Sequence, residues 1–164
     1  MVDSFYRRAG GALTLTCAGL AAAPDLDLIL HTHRTGTHSI TAVILVTIVA
    51  AAMTDKVNRW RIALMCGAAY ATHLLLDWMA IDRYPPSGIQ LLWPFSSSWF
   101  ISGIDLFPQT QRQQIFTNAG IRTNLMAFAW ETMLLVPMLA VLWRVREKTL
   151  TRLSAKLARG DHAA

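Results

Sequence analysis

Histidine and aspartate residues gather at a few points of an otherwise apolar chain. Asp25 and Asp27 stand in the segment PDLD, and His31, His33 and His38 follow in HTHRTGTHS. Imidazole nitrogens and carboxylate oxygens together are the ligands that Zn²⁺, Mn²⁺ or Fe²⁺ accept in proteins. This part of the sequence therefore predicts a divalent-metal site, with His31 the histidine we expect to lie outside the ligand set.

A second histidine–aspartate pair, His73 and Asp77, lies in a long apolar segment. Residues four apart lie on one face of a helix, one turn from each other, so the pair can hold one ion or bridge two. An ordinary hydrogen-bonded pair is the alternative, but the cluster at residues 25–38 favours metal binding. Cys17 and Cys66 both stand within apolar segments, which argues against a structural zinc site built on cysteine.

Three further polar positions have a predicted role. Arg34 follows His33 and offers a planar donor fork for a phosphate or carboxylate, and a salt bridge to Asp25 or Asp27 is the alternative. Glu131 stands in another apolar segment and is a candidate base, metal ligand or residue that orients a ligand. Thr37 or Ser39 is expected to cap the helix that follows.

The elements that carry these residues are predicted to be membrane helices. Of the 164 residues, 54% are hydrophobic and 15% charged, whereas a soluble domain has about 25% charged residues. Apolar stretches cover residues 9–23, 39–54, 62–81 and 125–143, which predicts an all-α integral membrane bundle with about four transmembrane helices. Residues 1–143 are expected to form one membrane-embedded domain. The first stretch also resembles a cleavable signal peptide, an alternative that remains open.

The distribution of positive charge predicts an orientation. If all four stretches span and the N-terminus is cytoplasmic, eleven of the fifteen Lys and Arg residues fall on the cytoplasmic side, as the positive-inside rule requires. The net charge of +5 is then a sign of topology rather than of nucleic-acid binding. Residues 144–164 become a basic cytoplasmic tail, either on the inner leaflet or solvated. The candidate site residues all fall near the extracytoplasmic end of the bundle: Asp25, Asp27, His31, His33, His38, His73, Asp77 and Glu131.

Taken in order, the segments PDLD, HRTGTHS, HLLLD and SGIQLLWPF resemble a known family. They are similar to the YdjM-like inner-membrane proteins, described as metal-dependent hydrolases and distantly similar to the zinc-dependent phospholipase C and single-strand nuclease superfamily. The resemblance implies phosphoester hydrolysis by a metal held on His and Asp, and it covers about residues 10–95. No histidine precedes His31 and the first loop is short, so one or two ions are expected. The matching positions are Pro24, Asp25, Asp27, His33, Arg34, Thr37, His38, Ser39, His73, Asp77, Gly88, Leu91, Leu92, Trp93, Pro94 and Phe95.

These observations lead to one expected function and two rivals. We expect a membrane hydrolase of the bacterial inner membrane, with zinc or else manganese held by Asp25, Asp27, His33, His38, His73 and Asp77. Its partners would be membrane lipids, with a phospholipid or polyprenyl phosphate as substrate. A metal or proton transporter is disfavoured, because the cytoplasmic halves of the predicted spans are almost purely apolar. A non-enzymatic membrane scaffold with a structural metal is the other rival. The segment with Pro85, Pro86 and SGIQLLWPF is expected to form a loop packed under the ligands, with Leu, Trp and Phe buried, and a lid over the site is the alternative.

Overall fold

The chain is described by a computed structural model that covers residues 2–30, 34–111 and 114–158. Its helices are α1 (Val2–Ala22), α2 (Ile40–Met53), α3 (Arg59–Met79) and α4 (Asn118–Ala158). Two 3₁₀ helices, Ala23–Leu30 and Gly36–His38, lie between α1 and α2. The described residues form no β-strand, only isolated bridges between Ala80 and Phe107 and between Ile89 and Phe100. The all-α prediction is confirmed.

The chain divides into two compact units, Met1–Gln109 and Thr110–Ala164. The first contains α1, α2, α3 and the segment that follows them, and the second contains α4. The predicted boundary at residue 143 lies inside α4, which continues through it as one helix with Pro137 in its interior. The assignment of residues 144–164 as a cytoplasmic tail stays a prediction.

Two helices in the described part of the chain are long and apolar enough to cross a membrane. They are α3 and the part of α4 from Asn118 to Thr149. Helix α2 is apolar but has 14 residues, which is short for a span. Length and composition thus support a membrane protein, and the bundle of four spans stays an expectation.

Within the first unit, α3 packs against both α1 and α2. Small residues allow the α2–α3 approach: Ala51 and Ala63 are buried, and a Cβ atom on Gly67 would collide with the hydroxyl of Thr47. Close contact over small residues is the usual way for membrane helices to gain packing energy. This contact fixes the position of α3, and with it His73 and Asp77.

The start of α2 depends on Ser39. Its hydroxyl accepts a hydrogen bond from the Ala42 amide at 3.2 Å and donates one to the Gly36 carbonyl at 2.6 Å. One side chain therefore satisfies an otherwise unpaired helix amide and closes the 3₁₀ turn that carries His38. The predicted cap is confirmed for Ser39.

After α3 the chain returns to the C-terminal end of that helix. The amides of Ile81, Ser102 and Leu106 donate to the carbonyls of Phe107, Trp78 and Met79 at 2.9 Å each. The first and last residues of segment 80–107 bond to this end of α3 or to each other. The segment is therefore held against the end of the helix.

The segment contributes Ile89 to the core. Ile89 is buried with Tyr70 and Leu74, and Leu91 packs against this cluster. Gly88 has a φ of +100°, and a Cβ there would collide with the Phe100 carbonyl, so the tight turn requires glycine. The burial expected for the Leu, Trp and Phe side chains of this loop is wrong for Leu92, Trp93 and Phe95, which are 42%, 43% and 90% exposed, because only Ile89 and Leu91 pack into the core cluster.

Candidate metal centre

Three elements bring imidazoles and carboxylates together in the first unit. Asp25 comes from the first 3₁₀ helix, His38 from the second, and His73 from α3. One ligand atom from each of these three residues lies within 4.8 Å of the other two. Asp77, one turn after His73 on α3, lies beside both imidazoles. The sequence-predicted residues from two distant parts of the chain thus meet.

Each of the two imidazoles lies at a short distance from each of two carboxylates. His38 Nε2 lies 3.2 Å from Asp77 Oδ2 and 3.8 Å from Asp25 Oδ1. His73 Nε2 lies 3.4 Å from Asp25 Oδ1 and 3.7 Å from Asp77 Oδ2. Ligands about 2.0–2.1 Å from a tetrahedral zinc ion are roughly 3.3 Å apart. The four measured separations lie close to that value.

Each imidazole is held from behind by its other nitrogen. His73 Nδ1 lies 2.8 Å from the Ala21 carbonyl oxygen, an acceptor, so this nitrogen carries the proton. His38 Nδ1 lies 3.1 Å from Asp27 Oδ2 and 3.0 Å from the hydroxyl of Thr37, which itself donates to Asp27. Both rings therefore turn Nε2 toward Asp25 and Asp77, the arrangement that fixes the tautomer of metal-binding histidines.

Asp27, predicted as a metal ligand, lies behind His38. Its Oδ2 accepts hydrogen bonds from the Arg34 amide at 3.0 Å and the Thr37 hydroxyl at 2.6 Å, and it faces His38 Nδ1. The residue is buried. The structure thus brings Asp27 to the cluster through His38, while direct coordination by Asp27 stays a prediction.

The charges around His38 raise its pKa. Burial by itself lowers the pKa, but hydrogen bonds to Asp25 and Asp77 and the negative charges of Asp77 and Asp27 outweigh burial and raise it from 6.5 to about 9. The metal-free site at neutral pH therefore contains a protonated His38. The negative charge of the carboxylates, which favours the proton on His38, would also attract a metal cation that replaces it.

Two buried atoms test whether a metal fits. His73 Nε2 and Asp77 Oδ2 are buried and lie 3.7 Å apart, too far for a hydrogen bond to each other. Buried polar atoms are normally paired, and a cation between these two would satisfy both. Two imidazoles and two carboxylates suit zinc or manganese. The residues present therefore fit a divalent ion. The Asp25 side chain is 48% exposed, so the cluster opens on its side.

Arg34 is fixed by contacts at both its backbone and its side chain. Its φ is +65°, a left-handed conformation rare for a residue with a side chain, and its amide is bonded to Asp27. Nη1 lies 2.6 Å from Asp82 Oδ2, and Nη2 lies 3.1 Å from Asp77 Oδ1. The guanidinium thus pairs with carboxylates other than the predicted Asp25 or Asp27. Its contact with a phosphate stays a prediction.

The remaining predicted site residues stand apart from this description. His31 and His33 lie outside the described residues. Glu131 lies on α4 in the second unit and is half-buried, and its part in the chemistry stays a prediction.

Sequence reasoning missed Asp82, which is buried after α3, and the carbonyl of Ala21. Asp82 could have been singled out, because it is a charged residue shortly after a long apolar helix. The Ala21 carbonyl could not, because every residue has a backbone carbonyl.

A helical chain with two possible membrane spans and a partly buried His/Asp cluster defines a class: a membrane protein with a candidate divalent-metal centre. Within that class, the chain belongs to the YdjM inner membrane protein family, whose model matches residues 2–150. The resemblance of the sequence motifs to this family of inner-membrane proteins is thereby confirmed. No curated protein and no solved structure matches the chain.

Proposed function

We propose that this protein is a membrane-bound, metal-dependent hydrolase that cleaves a phosphoester of a lipid-borne substrate at the extracytoplasmic face. One observation carries the proposal: His38 and His73 turn their Nε2 atoms toward the Asp25 and Asp77 carboxylates at 3.2–3.8 Å. This set of donors suits a metal ion. Because the Asp25 side chain is partly exposed, a substrate could reach that ion. The phosphoester is chosen because the motifs resemble those of metal phosphoesterases.

In this proposal His38, His73, Asp25 and Asp77 hold one ion, zinc in the first place and manganese in the second. When bound, the ion would supply Lewis acidity that activates water and polarises a phosphoryl oxygen. The chain's own groups do the positioning: the Ala21 carbonyl orients His73, and Asp27 with Thr37 orients His38. His33 remains a further candidate ligand, and Glu131 a candidate base.

The lipid-borne substrate follows from the proposed topology. With four spans and both termini in the cytoplasm, the cluster lies at the outer ends of the helices. Residues 84–104 contain no Asp, Glu, Lys or Arg, and within them Phe95 and Trp93 are exposed. Aromatic side chains in an uncharged segment suit the headgroup region of a bilayer. A phosphate at that level, on a phospholipid or a polyprenyl phosphate, would be within reach of the site.

Hydrolysis of lipid phosphoesters, detected as loss of the intact lipid, tests the enzyme directly. Purified protein in detergent, loaded with zinc or manganese, would be incubated with phosphatidic acid, phosphatidylglycerol and a polyprenyl phosphate. The wild type should cleave one of these classes, His38→Ala and His73→Ala should lose the activity, and the exposed Asp105→Asn variant should keep it. Equal hydrolysis by wild type and the histidine variants would show that the activity belongs to a contaminant. A metal-loaded wild type that cleaves none of them would contradict the proposal.

A structural metal in a non-enzymatic scaffold is the second candidate. The specific observation in its favour is that Asp77 adds a fourth protein donor, and four protein ligands close a structural zinc site. Cobalt-substituted protein separates the two candidates. Added azide or phosphate should change the visible spectrum if a coordination position is open, and should leave it unchanged if protein ligands fill all positions.

A further inference from the structure

Asp82 connects three parts of the first unit. It follows α3 directly and is buried. Its Oδ1 accepts a hydrogen bond from the Tyr84 amide at 3.1 Å, and its Oδ2 accepts one from the Gly88 amide at 3.1 Å. The same Oδ2 lies 2.6 Å from Arg34 Nη1. Asp82 therefore closes the loop of residues 82–88 and holds one end of the Arg34 guanidinium.

The other end of the guanidinium contacts Asp77, a candidate metal ligand. Arg34 Nη2 lies 3.1 Å from Asp77 Oδ1, while Asp77 Oδ2 faces His38 Nε2 at 3.2 Å. Arg34 thus bonds to Oδ1 of Asp77, and Oδ2 remains available to the imidazoles. The rigid, planar guanidinium allows this division, because its two terminal nitrogens can bond to two different carboxylates. A lysine has a single charged nitrogen and cannot divide them in the same way.

The backbone of Arg34 is held as firmly as its side chain. Its amide donates to Asp27 Oδ2 at 3.0 Å, and its carbonyl accepts from the Gln90 amide at 3.0 Å. These contacts hold it in the left-handed conformation at a φ of +65°. A strained residue persists only where its surroundings determine it, and here bonds to both the backbone and the side chain of Arg34 hold the guanidinium between Asp82 and Asp77.

We infer that Asp82 and Arg34 are positioning residues for the metal centre, and that Asp82 sets the metal affinity through Arg34 and Asp77. The inference rests on the proposed metal-dependent function. Without the Asp82 charge, the buried guanidinium would pair with both oxygens of Asp77 and draw Oδ2 away from the ion. Loss of such a partner behind a metal ligand typically weakens metal binding about 10- to 100-fold.

Zinc affinity, measured by competition with a chelating dye, tests this without any substrate. Asp82→Asn in the full chain should bind zinc about 10- to 100-fold more weakly than the wild type. The control, Asp105→Asn, removes an exposed carboxylate from the same segment and should bind as the wild type does. Arg34→Lys should resemble Asp82→Asn, since it keeps the charge but loses the fork. Wild-type affinity in Asp82→Asn would overturn the inference.

A paired variant keeps the test valid if Asp82→Asn does not fold. Arg34→Met with Asp82→Leu removes the two charges together, so neither is left in the core without the other, a change that buried ion pairs often tolerate. The paired variant should also bind zinc weakly, because the guanidinium no longer holds Oδ1 of Asp77. Affinity equal to the wild type in this variant would show that Arg34 and Asp82 serve the fold alone. A wild type that binds neither zinc nor manganese would sink the proposed function as well, which separates the two failures.

Discussion

Asp27 gathers three donors onto one buried oxygen. The Arg34 amide, the Thr37 hydroxyl and His38 Nδ1 all lie within 3.1 Å of its Oδ2. Truncation to alanine leaves these groups buried without their acceptor, which costs about 1–3 kcal/mol for each such group. Asp27→Ala should lower the free energy of unfolding by about 3 kcal/mol.

Thermal unfolding of the detergent-purified protein measures this effect. The matched control is Asp55→Ala, which removes an exposed aspartate between α2 and α3 and should change the melting temperature little. An Asp27→Ala variant as stable as the control would show that the three donors find other acceptors.

The raised pKa of His38 predicts how the stability of the metal-free protein depends on pH. The pKa is about 9 in the folded chain and 6.5 ordinarily. Because the folded state holds the proton more tightly, the stabilisation is fully present below about pH 6.5 and is lost as the pH rises through about 9. Chelator-treated wild type should therefore melt at a lower temperature above pH 9 than at pH 6.5.

The His38→Gln variant isolates this contribution. It keeps a polar side chain but cannot take up the proton, so its melting temperature should vary less with pH over the same interval. Parallel pH profiles for the two proteins would mean that other groups cause the dependence.

At the residue scale, the sequence predicted which side chains could bind a metal better than what each contacts. Residue type and helical spacing are read directly from the sequence. They could therefore predict a cluster that contains Asp25, His38, His73 and Asp77. Arg34 bonds to Asp77 on α3 and to Asp82 beyond it, 43 and 48 residues away, and these bonds depend on how distant parts of the chain pack together. No local pattern records such packing.

At the scale of the elements, one close contact positions half of the site. The hydroxyl of Thr47 bonds to the Val43 carbonyl at 2.8 Å and lies where a Cβ on Gly67 would be. Gly67→Ala should push α3 from α2 and destabilise the protein by about 1–3 kcal/mol, as overpacking commonly does. Metal affinity should fall with it, because His73 and Asp77 lie on α3.

Two variants check this interpretation. Gly19→Ala in α1 has open space around the added carbon and should keep or slightly raise stability. Adding Thr47→Ala to Gly67→Ala removes the colliding hydroxyl and should recover most of the loss. Unchanged unfolding of the single Gly67→Ala variant would show that the two helices separate at little cost.

The four apolar stretches and the Ser39 cap predicted the number and the approximate position of the α-helices well. Ser39 ends the polar loop and starts α2, as its hydroxyl chemistry indicates. The bounds of α4 were predicted less well, because the helix continues from Trp143 into the basic residues beyond it. The 3₁₀ helix at Ala23–Leu30 follows α1 without a break and was not predicted as a separate element; it packs against α1 and α3.

At the scale of the whole molecule, the proposed topology requires residues 84–104 outside the cytoplasm and the α2–α3 turn inside. Single cysteines at Ser97 and Lys56, both exposed, test this after Cys17 and Cys66 are replaced by serine. In intact cells a membrane-impermeant maleimide should label Ser97→Cys and should reach Lys56→Cys only after permeabilisation. Labelling in the opposite order would place the site on the cytoplasmic side.

Charge bias could predict this orientation from sequence, because it depends only on which segments carry Lys and Arg. It could not predict which apolar helices meet one another. The surfaces of membrane helices are uniformly apolar, so contacts are decided by small residues such as Gly67 and Ala63 rather than by hydropathy.

Metal content of the detergent-purified protein tests the central claim most directly. The comparison is wild type against the His73→Ala/Asp77→Ala double variant, with Asp105→Asn as the control, each measured by elemental analysis after dialysis. Near-stoichiometric zinc or manganese in the wild type and control, absent from the double variant, is the predicted result. A well-folded wild type that takes up no divalent metal, even after reconstitution, would contradict the proposed metal centre, and the cluster would then be a network of ion pairs that holds the helices together.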